Sequence, residues 1–301
     1  MRRRARRWLA AAAAVLATTA AQADSARFCD RPKRLAAKEQ DRLLRVAALV
    51  RQELEASGSG VALLSRSGQD LARFGQRYSH AGVSLAASAN TPWSVRQLYF
   101  DCDEGYPRLF DQGIAGFVLG NDNPRLGYLS MVLLPEAPAR ALERRALDNA
   151  AALRLLAADY SANAYAFSVR YQNCNQWVAE LLAAAWGGLP EGDDLRLRAQ
   201  AWLRQQGYEP GVFQASTGFL MIAGLFVPWL HHGDHPIEDR AALRYRVSMP
   251  EAIEAFVHAR VPGARRIEIC HDGARVVVHE GWDLVAEGCV AGPRDRTLTL
   301  D

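Results

Sequence analysis

Apolar residues recur at helical spacing through residues 34–56, at Leu43, Leu44, Val46, Leu49, Val50 and Leu54, and the run stops at Ser57-Gly58-Ser59-Gly60. This period predicts an amphipathic helix closed by a loop. A short apolar run at 61–64 and a turn at 65–70 follow, then two strand-like segments, 79–86 and 93–100, joined through Ala89-Asn90-Thr91-Pro92. Such a pair reads as an antiparallel hairpin. Segments 114–119 and 126–134 read as further strands, 137–160 as one long Ala- and Leu-rich helix, and 174–186 as a helix that ends at Gly187-Gly188.

After Pro190 the pattern changes. Residues 193–206 are amphipathic and helical, and 218–230 form a 13-residue apolar stretch. A membrane span needs roughly 20 residues, so this stretch is expected in the core. Ser248-Met249-Pro250-Glu251 has the Ser-x-x-Glu capping-box pattern with Pro in the first turn, opening a helix to about Arg260. A β-rich tail with runs at 265–269 and 275–280 closes the chain. The expected fold class is α+β: an antiparallel sheet with helices on one side in a main domain of residues 24–210, and a small C-terminal α/β appendage of residues 211–301.

With 50% hydrophobic and 23% charged residues, composition places the chain among ordinary globular proteins, and no internal repeat is visible. The first 23 residues stand apart. Arg2, Arg3, Arg4, Arg6 and Arg7 precede an apolar run at 8–17 and the small-x-small site Ala21-Gln22-Ala23, the form of a cleaved signal peptide. The expectation is a periplasmic or secreted protein with no stable membrane span once residues 1–23 are removed. Without those arginines the chain has 31 basic and 33 acidic residues. It therefore lacks the basic excess of a nucleic-acid-binding surface, and nucleic acid is excluded as a partner.

Export to an oxidising compartment permits disulfides. The five cysteines, at 29, 102, 174, 270 and 289, are odd in number, so at least one thiol is left over if the others pair. Cys270 and Cys289 bracket a predicted hairpin and are the first candidates; Cys29 and Cys102 are the next. That leaves Cys174.

Cys174 sits in Asn173-Cys174-Asn175-Gln176-Trp177-Val178, at the start of a predicted helix. Asn173 is a good N-cap residue, so the thiol falls in the first turn, where unpaired N–H groups and the helix dipole favour thiolate. The same N–H groups can bind an oxyanion. His80, in Tyr78-Ser79-His80-Ala81-Gly82-Val83, opens a strand, and Gly82 is expected to leave room beside it for a partner helix. Gln97 lies roughly across on the next strand, where its amide can orient the imidazole; Asp101 is the alternative orienter. Asn173 and Tyr171 are the supporting residues of the oxyanion site.

A His at a strand start in a Ser-His-x-Gly-Val context, a polar residue on the next strand, and a later Asn-Cys pair opening an apolar helix resemble the circularly permuted papain-like superfamily. That group includes NlpC-type cell-wall peptidases and amidases and lecithin retinol acyltransferase relatives. Gly68-Gln69-Asp70, Arg77-Tyr78-Ser79-His80-Ala81-Gly82, Tyr171-Gln172-Asn173-Cys174-Asn175-Gln176-Trp177 and Met249-Pro250-Glu251-Ala252-Ile253-Glu254-Ala255-Phe256 are more closely similar to an uncharacterised family of exported bacterial proteins, domain of unknown function 2145. The resemblance implies a papain-like core with Cys174 as nucleophile, His80 as general base and Gln97 as orienter. It further implies a cell-envelope peptide or acyl lipid as substrate and no cofactor. Relatives often carry His or Glu at the third position, and the neutral Gln97 gives the imidazolium less support. An inactive envelope binding or scaffold protein of the same fold is therefore the alternative.

His231-His232-Gly233-Asp234-His235 is a second constellation, with the residue types of a zinc site. Its spacing fits no standard motif, and a tight turn cannot aim every side chain at one ion. His231, Asp234 and His235 thus stand as a weak metal alternative, and an exposed polar loop as the ordinary reading.

Overall fold

The computed structural model describes residues 35–101, 103–215, 227 and 229–300. The apolar stretch at 218–230 lies mostly outside the described residues, as do the signal-peptide segment and the Cys29–Cys102 pairing. In chain order the elements are α1 (Ala37–Ala56), β1 (Val61–Arg66), β2 (His80–Leu85), β3 (Ser94–Asp101), β4 (Tyr106–Gln112), α2 (Ile114–Leu119) and β5 (Leu126–Leu133). Then come α3 (Glu136–Leu147), α4 (Asn149–Arg154), α5 (Cys174–Trp186), α6 (Leu195–Gln205), β6 (Gly211–Gln214), α7 (Ile237–Ala241), β7 (Arg244–Val247), α8 (Pro250–Arg260), β8 (Arg265–Asp272), β9 (Arg275–Glu280) and β10 (Arg296–Thr299).

The class is α+β, built on an eight-stranded sheet in the order β10-β9-β8-β5-β1-β2-β3-β4 with antiparallel neighbours throughout. Strand alternation explains why the sheet carries helices on both faces instead of one. Val61, Leu63, Ala81, Val83, Leu85, Leu98 and Val132 pack against α3, α5, α6 and α8. Ala62, Leu64, Val95, Leu129, Met131 and Leu133 pack against α1 and α2. A strand buried on both faces reads as a continuous apolar run, which is how residues 61–64 appear in the sequence.

Several sequence expectations need correction. Residues 114–119 form a helix and not a strand: Ile114, Phe117 and Val118 are buried together at the i, i+3, i+4 spacing of one helical face. The long helix over 137–160 is broken at Asp148, whose extended backbone and side chain, accepting the Ala151 N–H at 3.1 Å, start a second helix. The capping box at 248–251 does not form; Glu251 instead accepts the backbone N–H groups of Arg77 and Tyr78 at 2.6 and 2.8 Å. Nor does the chain after residue 210 stand apart. β8 pairs with β5 from Leu126↔Asp272 to Leu133↔Arg265, so residues 265–299 complete the main sheet by covering an edge that β5 would otherwise expose. The Cys270–Cys289 disulfide ties β8 to the segment between β9 and β10, with its Cα atoms 5.6 Å apart.

Helix α5 runs through the core, and its polar side is satisfied by one buried carboxylate. Glu180 accepts from Arg196 Nε at 2.8 Å, Gln200 Nε2 at 2.7 Å, Gln172 Nε2 at 2.6 Å and Gln176 Nε2 at 3.2 Å. Gln172 also donates to Leu155 O and accepts from Ala157 N, so this network fixes the approach to residue 174. Removing one partner of a buried ion pair strands the other charge. Glu180→Ala is expected to cost about 3–5 kcal/mol in chemical denaturation at neutral pH; a loss below about 1 kcal/mol would refute the role given to this carboxylate.

Candidate functional site at the open end of the β2–β3 ladder

Asn173 caps α5 as its sequence demands. Its backbone is extended (φ −102°, ψ 172°), and Oδ1 accepts the Gln176 N–H at 2.7 Å. Its Nδ2 donates to Ala162 O and Ser248 O, so the cap also ties two loops to the helix start. Cys174 is then the first helical residue.

The next residue decides the geometry. Between β2 and β3 the paired residues run from Leu85↔Ser94 to Val83↔Arg96, and the ladder opens beyond. Asn175 fills the opening: Oδ1 accepts the Ala81 N–H at 2.9 Å, and Nδ2 donates to Ser79 O at 3.2 Å. One side-chain amide thus supplies the partners that a neighbouring strand would have given β2. Cys174 is carried into the same opening.

His80 and Gln97 flank it. The His80 Nε2 lies 2.7 Å from Gln97 Oε1, while Gln97 Nε2 donates to Gln112 Oε1 at 2.8 Å, so the glutamine amide is held from both ends. With Oε1 as acceptor, Nε2 of the imidazole carries the proton and Nδ1 is the lone-pair nitrogen. The ring stacks on Tyr99 at 4.6 Å and lies 6.0 Å from Phe117 of α2. His80 and Gln97 therefore face α2, whereas Ala81 and Leu98 face α5. The imidazole lies on the α2 side and the sulfur enters with α5, and among the described residues no hydrogen bond joins them. Gly82 makes no room for a helix: a Cβ there would lie 2.5 Å from Val95 Cγ1 and 3.1 Å from Arg96 O, so the glycine serves close contact with β3.

The sulfur is enclosed. Cys174 is 7% exposed and His80 6%. Around Sγ stand the backbone N–H groups of Asn175, Cys174 and Ala81, the Tyr160 hydroxyl, and Asn175 Oδ1 at 3.6 Å. Burial pushes the thiol up to about 11, against the pull of the Asn175 N–H and the nearby Arg66 charge. The helix start was expected to favour thiolate, but loss of solvation outweighs it. Burial likewise holds the His80 imidazole down to about 3, reinforced by Arg66 and opposed by the bond to Gln97. Both groups are neutral in this state.

The remaining sequence candidates lie elsewhere. Asp101 accepts from Asp103 N, Glu104 N and Arg108 Nη1 in the β3–β4 turn. The Tyr171 ring stacks on His231 at 4.6 Å. Asp234 accepts the Tyr165 N–H at 2.8 Å, and His235 Nε2 meets Asn163 O at 2.7 Å, so the residues of that cluster turn to different partners. Among the described residues no three His, Cys, Asp or Glu side chains are grouped to hold a metal ion. Sequence reasoning missed Asn175, Tyr160 and Arg66. Asn175 carried a signal, as a second asparagine flanking the cysteine; the other two became visible only once distant segments met.

A family model described as an uncharacterized protein conserved in bacteria, DUF2145, matches residues 53–257. The chain belongs to this family. No curated relative and no solved structure matches it. The DUF2145 match takes in Arg66, His80, Gln97 and Cys174 and ends before β8. No helix among the described residues of this DUF2145 chain is long and apolar enough to cross a membrane.

The buried imidazoles set an acid limit on stability. His80 at about 3 and His271 at about 4 stay neutral in the fold as pH falls, while the unfolded chain takes up protons below about 6.5. Stability is therefore full above 6.5 and falls as pH drops towards 4, by on the order of 1–2 kcal/mol per histidine at pH 5. In NMR titration both ring signals should keep neutral-imidazole shifts down to pH 5; a midpoint near 6.5 for either ring would contradict this.

Proposed function

We propose that this DUF2145 chain is an exported cysteine hydrolase acting on an amide or ester of the cell envelope, of the permuted papain-like kind. The observation that carries the reading is the 2.7 Å bond from His80 to Gln97 at the opening occupied by Cys174. It leaves Nδ1 of the imidazole as the base. The signal-peptide form of residues 1–23 supports export, and the Cys270–Cys289 disulfide fits an oxidising compartment.

In the proposed reaction a bound substrate displaces the Tyr160 hydroxyl from the sulfur and brings His80 Nδ1 to it. The thiol proton passes to Nδ1, and the thiolate attacks the carbonyl carbon. Backbone N–H groups at the start of α5 hold the oxyanion. The imidazolium then protonates the leaving amine or alcohol, and water, deprotonated by His80, releases the acyl group from sulfur. The reaction as drawn uses no cofactor. Peptidoglycan peptide or an acyl lipid is the substrate class that fits the resemblance. A second reading, an envelope binding or scaffold protein without chemistry, is favoured by the enclosed neutral thiol.

Mass spectrometry after incubation with acyl-ester and peptidyl-amide panels separates the two. The hydrolase reading expects an acyl adduct on Cys174 that turns over, a loss of about 100-fold or more in His80→Ala, and a smaller loss in Gln97→Ala than in His80→Ala. In the resting protein, alkylation of Cys174 should be slow at pH 7 and climb towards the thiol pKa of about 11. Absence of any adduct, with alkylation of the same rate and pH profile in His80→Ala, would leave the binding protein.

A further inference from the structure

Arg66 ends β1 beside the candidate site and is 5% exposed. Its guanidinium donates to Gly120 O at 2.6 Å, Ser67 O at 3.4 Å and Tyr99 Oη at 2.9 Å. All are neutral acceptors, and no carboxylate forms an ion pair with it among the described residues. The other buried arginines among the described residues each have one: Arg196 pairs with Glu180, and Arg266 with Glu254 and Glu268. A buried guanidinium without a counter-charge is costly, so its retention calls for a cause.

The chain leaves space for this charge. A Cβ at Gly120 would lie 2.6 Å from Nη2 and 2.7 Å from Cζ, and one at Gly68 would lie 2.8 Å from Nη1. The guanidinium thus occupies a slot between two glycines, with the Phe117 ring 5.4 Å away. Nε is buried and has no hydrogen-bond partner among the described residues. Nε and Nη2 form the edge of the fork that takes a carboxylate with parallel bonds, as Arg96 shows by holding Asp111 at 2.7 and 2.6 Å. Among the described residues that edge of Arg66 holds only the Tyr99 hydroxyl, on a partly exposed side chain.

We infer that the Nε–Nη2 edge of Arg66 is a carboxylate-recognition site, and that the substrate carries a free carboxylate close to the bond presented to Cys174. The substrate part of this inference rests on the hydrolase reading; the anion site does not. A carboxylate reaches the edge by displacing the Tyr99 hydroxyl and satisfies Nε at the same time. The charge also bears on both His80 and Cys174, which places the bound anion within electrostatic reach of the pair.

The test is an NMR titration of the Cys174→Ala chain, in which no acylation occurs, with N-acetylalanine, its methyl ester and inorganic phosphate as probes. The acid is expected to shift the Arg66 Nε–H signal and to bind about tenfold or more tighter than the ester. Arg66→Gln should abolish that preference. Gly120→Ala, which crowds the guanidinium while keeping its charge, should weaken the acid in the same way and decides the matter if Arg66→Gln does not fold. Equal binding of acid and ester, an unmoved Nε–H signal, or tighter binding of phosphate than of the acid would each overturn the carboxylate site. Binding of the acid through Arg66 with no adduct on wild-type Cys174 from the acyl-ester and peptidyl-amide panels would instead overturn the hydrolase reading and leave the anion site standing.

Discussion

The candidate site depends on one amide. Asn175 bonds to Ala81 N and Ser79 O and so takes the place of a strand at the end of the β2–β3 ladder. Without it, β2 would either expose unpaired backbone groups in a buried region or close on β3 and expel the helix start. With it, the sheet can open by the width of a side chain and admit Cys174. The network around Glu180 serves the same end from behind, fixing Gln172 and the turn that leads into α5.

Inside that opening, solvation outweighs the helix. The first turn of α5 directs N–H groups at the sulfur, and a buried cation stands nearby, yet the thiol and the imidazole are both neutral because neither can be hydrated. A water-excluded site strengthens every charge interaction it contains, and it also suppresses ionisation until a ligand supplies polar contacts. The Tyr160 hydroxyl on the sulfur and the Tyr99 hydroxyl on Arg66 are neutral partners of these groups.

The last strands hold the segment that leads to His80. Arg77 donates to Glu268 and Val285 O, Tyr78 Oη donates to Glu268 at 2.5 Å, and Arg266 donates to Tyr78 Oη at 2.7 Å. Glu251 of α8 anchors the Arg77 and Tyr78 backbone. The disulfide at Cys289 lies in the same small core as Tyr78 and Tyr128, so the covalent link and the ionic network brace one corner. What looks in sequence like a C-terminal appendage is the support of the histidine strand.

Local pattern determined much of this protein. The helix at 174–186, its asparagine cap and the hairpin that sets Gln97 beside His80 follow from short-range spacing, because caps, turns and periodicity are decided by neighbours in the chain; the Cys270–Cys289 pairing was a first candidate that the fold bears out. Short apolar segments were ambiguous for the same reason: 114–119 carries too few residues for its period to separate helix from strand. Tertiary structure alone decided that helices cover both faces, that residues 265–299 join the main sheet, and that Cys174 enters at the open end of the ladder beside the His80 strand. It alone decided the charge states, since desolvation depends on everything packed around a group. It also left Arg66 without a counter-charge among the described residues, because whether a cation is paired is a property of distant segments that come together only in the fold.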